Sequence, residues 1–388
     1  MTAMPTILQV LPGLESGGVE RTAVDISRAV VANGWTSIVA SSGGRLASQV
    51  DADGGRHIEM TLASKSPLTI WRNAALLEKL IADEGIDLIH ARSRAPAWSA
   101  YIAAKRTGIP FVTTYAAIYN QKSAAKAWYN SVMAKGDVVI ANSDWTAGIV
   151  KERRPEATDR VIAIPRGVDF TNFDRKAITA DRESKLRAEW GVGAADRLVV
   201  MVSRLTRLKG HRTIIDAAPI VLAAHPDIRF VLAGGAGKSS DYEGELRARI
   251  AELGLADRII LPGHCDDPAA AAATATVMVQ ASTQAEAFGR TPVEAAALGT
   301  PVVASAIGAV TDTILTPPAV TDDERTGWTF PPGDADALAT TLNMILAMPD
   351  AELGRITARA HEYVTSRFSL NAMGSATLDV YRGLLQKH

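Results

Sequence analysis

The stretch Glu286-Ala287-Phe288-Gly289-Arg290-Thr291-Pro292-Val293-Glu294 decides the reading of this chain. Pro292 suits the first turn of a helix running on through Leu298, because its missing N–H costs nothing there. The free amides of Gly289, Arg290 and Thr291 then make a site for phosphate. Glu286 falls on the loop before that helix and Glu294 inside it. One carboxylate can accept from two sugar hydroxyls at once, so two carboxylates so placed can grip two sugars. A metal site competes with this reading, but no His or Asp stands nearby at ligand spacing. A plain structural helix cap is the other alternative.

Working outward, short β-rich runs alternate with segments of helical period. Val277–Gln280 and Pro301–Ala304 flank the motif, with Leu198–Val202, Phe230–Ala233 and Arg258–Leu261 before it. Further back stand Ile7–Leu11, Ser37–Ala40, Asp87–His90, Phe111–Thr114, Val138–Ala141 and Arg160–Ile164. Helical periodicity lies between them at Val19–Asn33, Thr69–Asp83 and Pro96–Arg106. Alternation of this kind builds parallel sheets covered by helices on both faces. The rhythm breaks in the turn-rich PRGVDFTNFDRKAI after Ile164 and restarts past a charged helical stretch, Asp181–Trp190. The expected division is an α/β domain over 1–175, a second over 176–369, and a helix in 370–388 that packs back on the first. Ligands of such sheets gather at strand C-terminal ends.

Two further loops occupy those ends. Gly13-Leu14-Glu15-Ser16-Gly17-Gly18-Val19-Glu20 follows the first strand, and its glycines let a ligand approach the N-terminus of the next helix. Its spacing is not the dinucleotide fingerprint, no acidic residue ends the second strand, and a plain strand–turn–helix is the alternative. Ser203-Arg204-Leu205-Thr206-Arg207-Leu208-Lys209-Gly210 opens the second domain, with cations suited to a diphosphate. A solvated basic loop is the alternative there.

These residues, with ANSDWT at 141–146, IPRGVDF at 164–170, VLAGGAG at 231–237 and LPGH at 261–264, resemble the family 4 glycosyltransferases over essentially the full length. That resemblance implies the GT-B fold, two facing Rossmann-like domains with the active site in the cleft between them. It implies retaining transfer of a hexose from a UDP- or GDP-linked sugar, with no metal and no other cofactor. Gly17 and Gly18 then lie by the donor diphosphate, and Arg204 and Lys209 neutralise it and the leaving group. Glu286 takes the hexose hydroxyls, the amides around Phe288, Gly289, Arg290 and Thr291 take sugar and phosphate, and Glu294 takes the ribose. Gly263 and His264 meet the nucleobase. Two departures stand out. Members of the family commonly carry His-Gly where this chain has Ala116-Ala117, and aspartate where Ala304-Ser305-Ala306 has alanine.

On the acceptor side, His90-Ala91-Arg92-Ser93-Arg94 ends a first-domain strand. His90, Arg92 and Arg94 are candidates for an anionic acceptor, such as a lipid-linked phosphate or an acidic sugar, and the stretch is similar to that of bacterial surface-polysaccharide and lipopolysaccharide enzymes; solvated or structural arginines are the alternative. Gln121–Lys135 mixes Lys122, Lys126 and Lys135 with Trp128, Tyr129 and Met133, which suits peripheral contact with a membrane surface or an ordinary half-buried helix.

Composition bounds the rest. The 388 residues carry 41 basic and 42 acidic side chains, a balance that gives no reason to expect a nucleic-acid partner. The first 180 residues hold 21 basic and 17 acidic groups, so a mild basic excess sits in the first domain. The start lacks the pattern of a secretory signal, and no apolar run is long enough to span a bilayer. Cys265 stands alone, which points to a reducing cytoplasm, at most peripheral to the inner face of the membrane. The reading is a hexosyltransferase acting on a glycan or lipid-linked acceptor in envelope polysaccharide assembly. A non-catalytic nucleotide-sugar-binding protein, suggested by Ala116-Ala117, and an epimerase of the same fold are the alternatives.

Overall fold

The computed structural model describes residues 4–15, 17–116, 119, 123–235 and 241–387. The chain forms two compact units. One ends at Gly167 and takes the chain back from Leu370; the other is Val168–Ser369.

The first unit is a seven-stranded parallel sheet: β1 (Thr6–Val10), β2 (Thr36–Ser41), β3 (Arg56–Glu59), β4 (Leu88–Ala91), β5 (Phe111–Tyr115), β6 (Val138–Ala141) and β7 (Val161–Ala163), in the order β3-β2-β1-β4-β5-β6-β7. Alternate residues serve opposite faces, as a period of two demands. Leu8, Val10, Ile89, Ala91 and Val139 join one core cluster, while Ile7, Leu88, Val112 and Ile140 join another. The helix Gly18–Ala32 and the helix Leu370–Leu385 pack together over the second face, where Met373, Leu378, Tyr381 and Leu384 are buried. A strand buried on both sides must be apolar at nearly every position, which is why these strands are legible as continuous runs.

The second unit has six parallel strands: β8 (Arg197–Val202), β9 (Ile228–Ala233), β10 (Ile259–Ile260), β11 (Val277–Gln280), β12 (Val302–Ser305) and β13 (Trp328–Phe330), in the order β10-β9-β8-β11-β12-β13. Leu198, Val200 and Val231 face one cluster; Val199, Met201 and Phe230 face the other. The order reverses between β8 and β11, so the loops after them flank the switch point at which such sheets bind ligands.

Two differences from expectation are physical. The units divide after Gly167, not after 175: Val168 N donates to Phe368 O at 2.7 Å, and Phe170 and Phe173 pack on the second unit's core. Strands β3 and β13 have no counterpart in the sequence reading, and both are sheet edges. The described part of 121–135 forms a helix at Ala124–Ser131 and a single 3₁₀ turn at Val132–Ala134, whose three residues are buried. Among the described residues no helix is long and apolar enough to cross a membrane.

Candidate functional site

In the second unit the loop after β11 brings the polar groups together. Glu286 Oε1 accepts from Lys209 Nζ at 2.7 Å, from Gln280 Nε2 at 3.0 Å and from the Ser282 hydroxyl. Its main chain is pinned as well, since Ala309 N donates to Glu286 O at 2.9 Å. Gln280 ends β11 and Ser282 lies just beyond it, so a buried strand end sets the height of the carboxylate. Both are absent from the sequence-based site. The signal for them was a polar residue closing an otherwise apolar buried strand.

The helix Arg290–Ala297 starts at Gly289, whose φ of +79° favours glycine. Gly289, Arg290 and Thr291 thus stand at the free amides of the helix N-terminus. Phe288 turns its ring into the core, edge-on to Phe368 at 5.6 Å, and leaves only its backbone for a ligand. Glu294 follows within the helix; its carboxylate takes Arg290 Nη2 at 2.7 Å. Burial pushes Glu294 above the usual carboxylate range, against the pull of the Arg290 guanidinium. The Arg290 side chain is therefore part of the cluster, where sequence reading used only its amide.

The basic loop after β8 splits into distinct roles. Arg207 pairs with Glu245 and lies over the Tyr242 ring, so it is occupied. Lys209 reaches Glu286. Arg204 is exposed and has no ion-pair partner among the described residues. Thr283 N donates to Leu208 O at 2.9 Å and Leu205 N to Gly235 O at 3.1 Å, which ties this loop to its neighbours at both sides. Gly263 (φ +88°) accepts from Gly234 N, and His264 beside it projects outward, 76% exposed, toward Asp266 at 3.5 Å. Of VLAGGAG, residues 236 and 237 lie outside the described residues. No group of three or more His, Cys, Asp or Glu able to hold a metal occurs among the described residues.

His211 opens the helix His211–Ala224 directly behind this loop, with Ser203 Oγ at 3.2 Å. Burial pushes it down to about 4. Its folded value lies below the unfolded one near 6.5, so its contribution to stability is complete above that pH and is lost as pH falls toward 4. We expect the second unit to lose up to about 3 kcal/mol over that window. Thermal unfolding followed against pH checks this: His211→Gln should flatten the slope, and an unchanged slope refutes the assignment.

In the first unit Gly17 and Gly18 begin the helix Gly18–Ala32, and both spare space for side chains. A Cβ on Gly17 would overlap the Glu20 carboxylate, and one on Gly18 the Arg166 guanidinium. The acceptor candidates are held by the fold around them. His90 is wholly buried, with Tyr381 Oη at 2.6 Å and Thr114 Oγ1 at 2.7 Å, and burial holds it well below the usual histidine range. Arg92 is buried too and donates to Gln9 Oε1 at 2.6 Å. Arg94 donates to Asn130 Oδ1 at 2.8 Å and stacks on the Tyr119 ring. None of the three presents a freely solvated charge, because the strand end that carries them is roofed by helices. Ala116 lies in the wall of a cavity beside Arg92, and Ala117 falls outside the described residues.

Comparison with known proteins agrees with this architecture. A family described as Glycosyl transferases group 1 matches residues 182–362, and one described as Glycosyltransferase Family 4 matches 16–172. A solved glycosyltransferase from Rickettsia africae is 32% identical, covering 99% of this chain and 100% of that one with a TM-score of 0.89. HepE from Anabaena, solved with UDP and glucose, shares the fold at a TM-score of 0.76 and 23% identity, over 98% of this chain and 100% of that one. A D-inositol 3-phosphate glycosyltransferase from Mycolicibacterium gilvum is 29% identical over 283 residues, 69% of this chain; the matched stretch spans only 60% of that relative.

Proposed function

We propose, for a chain that belongs to the glycosyltransferases of group 1 and family 4, that it moves a hexose with retention from a nucleoside diphosphate sugar to a glycan, a lipid-linked sugar or a small phosphorylated polyol. The observation that carries this reading is the pair of carboxylates bracketing one helix N-terminus, Glu286 against Lys209 and Glu294 against Arg290. A diphosphate set on the amides at Gly289–Thr291 would meet Lys209 and the exposed Arg204. Glu286 and Glu294 would then take hydroxyls of the hexose and the ribose. The sugar C1–oxygen bond to phosphate breaks while the acceptor oxygen bonds C1 from the same face. The departing phosphate oxygen takes the acceptor proton, so no protein base is needed. The cations stabilise the charge on that leaving oxygen and stand in for a metal.

UDP is the first nucleotide to test, because it is the one held by HepE. A phosphorylated acceptor is favoured by the names of the inositol 3-phosphate relatives and by the basic excess of the first 180 residues. Envelope polysaccharide assembly at the inner face of a membrane fits such an acceptor. Glu294→Ala should weaken UDP binding tenfold or more in calorimetry, because a half-enclosed carboxylate accepting two hydroxyls contributes about 1.4 kcal/mol or more. Unchanged affinity would remove Glu294 from the nucleotide site. Slow acceptor-free hydrolysis of the sugar nucleotide would separate a transferase from a non-catalytic binder.

A further inference from the structure

His211 is a buried ring that none of these roles uses. It is closed to solvent, and burial keeps it neutral, so one ring nitrogen donates and the other accepts. Taking a polar ring out of water is costly unless a hydrogen bond compensates. The partner is Ser203, eight residues back along the chain, whose hydroxyl lies 3.2 Å from Nε2. The main chain of Ser203 and of Thr206 also acts on the ring, and so does the charge of Lys209 through space. The ring stands nearly upright on Tyr242, with centroids 6.1 Å apart and an angle of 72°. Tyr242 in turn lies under the Arg207 guanidinium.

The bond matters for what it encloses. Ser203 directly follows β8, and His211 is the first residue of the helix His211–Ala224. Their contact closes the two ends of the loop that carries both cations assigned to the diphosphate. Arg204 stands beside one end and Lys209 just before the other. Gly210, between Lys209 and His211, is wedged against the carbonyl of Ala281, so a tilt of this helix start would move Lys209 and the loop of Glu286 alike. Leu205 N to Gly235 O and Thr283 N to Leu208 O hold the middle of the loop. The Ser203–His211 pair holds its roots.

We propose that His211 is a positioning residue for transfer: through Ser203 it clamps the ends of this loop and so sets Arg204 and Lys209 against the leaving diphosphate. The diphosphate in this role rests on the transferase reading; the clamp itself does not. Acceptor-free hydrolysis of UDP-glucose by the full chain is the test. Ser203→Ala and His211→Leu should each lower kcat by roughly tenfold or more with KM within about threefold, because a slightly misplaced cation loses more in the transition state than in the ground state. His211→Gln, whose side-chain amide can reach Ser203 as Nε2 does, should restore kcat to within about threefold of wild type. Both substitutions break the same bond, so the double variant should fall no more than about twofold below the poorer single one. A merely structural histidine would lower the melting temperature and leave the kcat of folded protein unchanged. Values of kcat within twofold of wild type in both single variants, losses that multiply, or no recovery with glutamine overturn the proposal. Should His211→Leu lose its cooperative thermal transition, Ser203→Ala, which removes one hydroxyl, decides alone. If the wild type neither binds UDP nor hydrolyses UDP-glucose, the donor reading has failed separately. Amide hydrogen exchange over 203–210 then decides the clamp: Ser203→Ala should speed it by roughly tenfold or more, and unchanged exchange overturns it.

Discussion

Lys209→Met should lower kcat by about 10²–10³-fold, the range found when one preorganised stabiliser of developing charge is removed from an active site. Lys209 is half-buried, and its Nζ lies 2.7 Å from Glu286 Oε1, so the cation is already oriented before a diphosphate arrives. A solvated lysine would have to be drawn in and ordered; this one exchanges a carboxylate partner for a phosphate. The interaction strengthens as the glycosidic bond breaks and charge gathers on the leaving oxygen, so the loss should fall more on kcat than on KM. Hydrolysis of the sugar nucleotide without acceptor gives a readout before the acceptor is known.

The same geometry predicts coupling. Glu286→Gln alone leaves Lys209 without its counter-charge, and Lys209→Met alone leaves the Glu286 carboxylate to Gln280 and Ser282. Residues that share one network do not add, so the double variant should be no worse than about tenfold below the poorer single one. Activity of Lys209→Met within threefold of wild type would remove it from the reacting end of the site.

How far this was legible in the sequence depends on burial. Central strands are covered on both faces, so Val138–Ala141 and Val277–Gln280 read as apolar runs and their bounds agree with the structure. Strand β3 (RHIE) sits at a sheet edge, where half-exposed positions admit polar residues and the pattern fades, and β13 (WTF), though largely buried, is only three residues long and too short to show a period. The second unit's site lies on two short runs, 203–210 and 280–294, where Gly210, Gly289 and Pro292 announce the turns. The first unit's polar cluster does not: Gln9, Arg92 and Tyr381 are brought together from three distant segments. Nothing local distinguishes a buried arginine from a solvated one, so the HARSR run admits an acceptor site and structural arginines alike.

Gly210→Ala should be among the most damaging single changes in the second unit, costing about 3 kcal/mol or more. Gly210 has φ +73°, a conformation that costs an L-residue roughly 1–2 kcal/mol. The added Cβ would also fall well inside 3.0 Å of the carbonyl oxygen of Ala281, a backbone atom that cannot rotate away. Relief requires shifting the loop that carries Ser282 and Glu286, so stability and the Lys209–Glu286 geometry should fail together. Gly254 separates the two costs: its φ is +67°, yet nothing lies within 4 Å of the position a Cβ would take. Gly254→Ala should therefore cost only the conformational part, about 1–2 kcal/mol, and leave turnover unchanged. Calorimetric unfolding of both variants makes the comparison; at about 2–4 °C per kcal/mol for a unit of this size, Gly210→Ala should melt at least 6 °C below wild type. Equal shifts for the two variants would show that the left-handed backbone alone sets the cost, and that the approach to Ala281 is slack enough to absorb a methyl group.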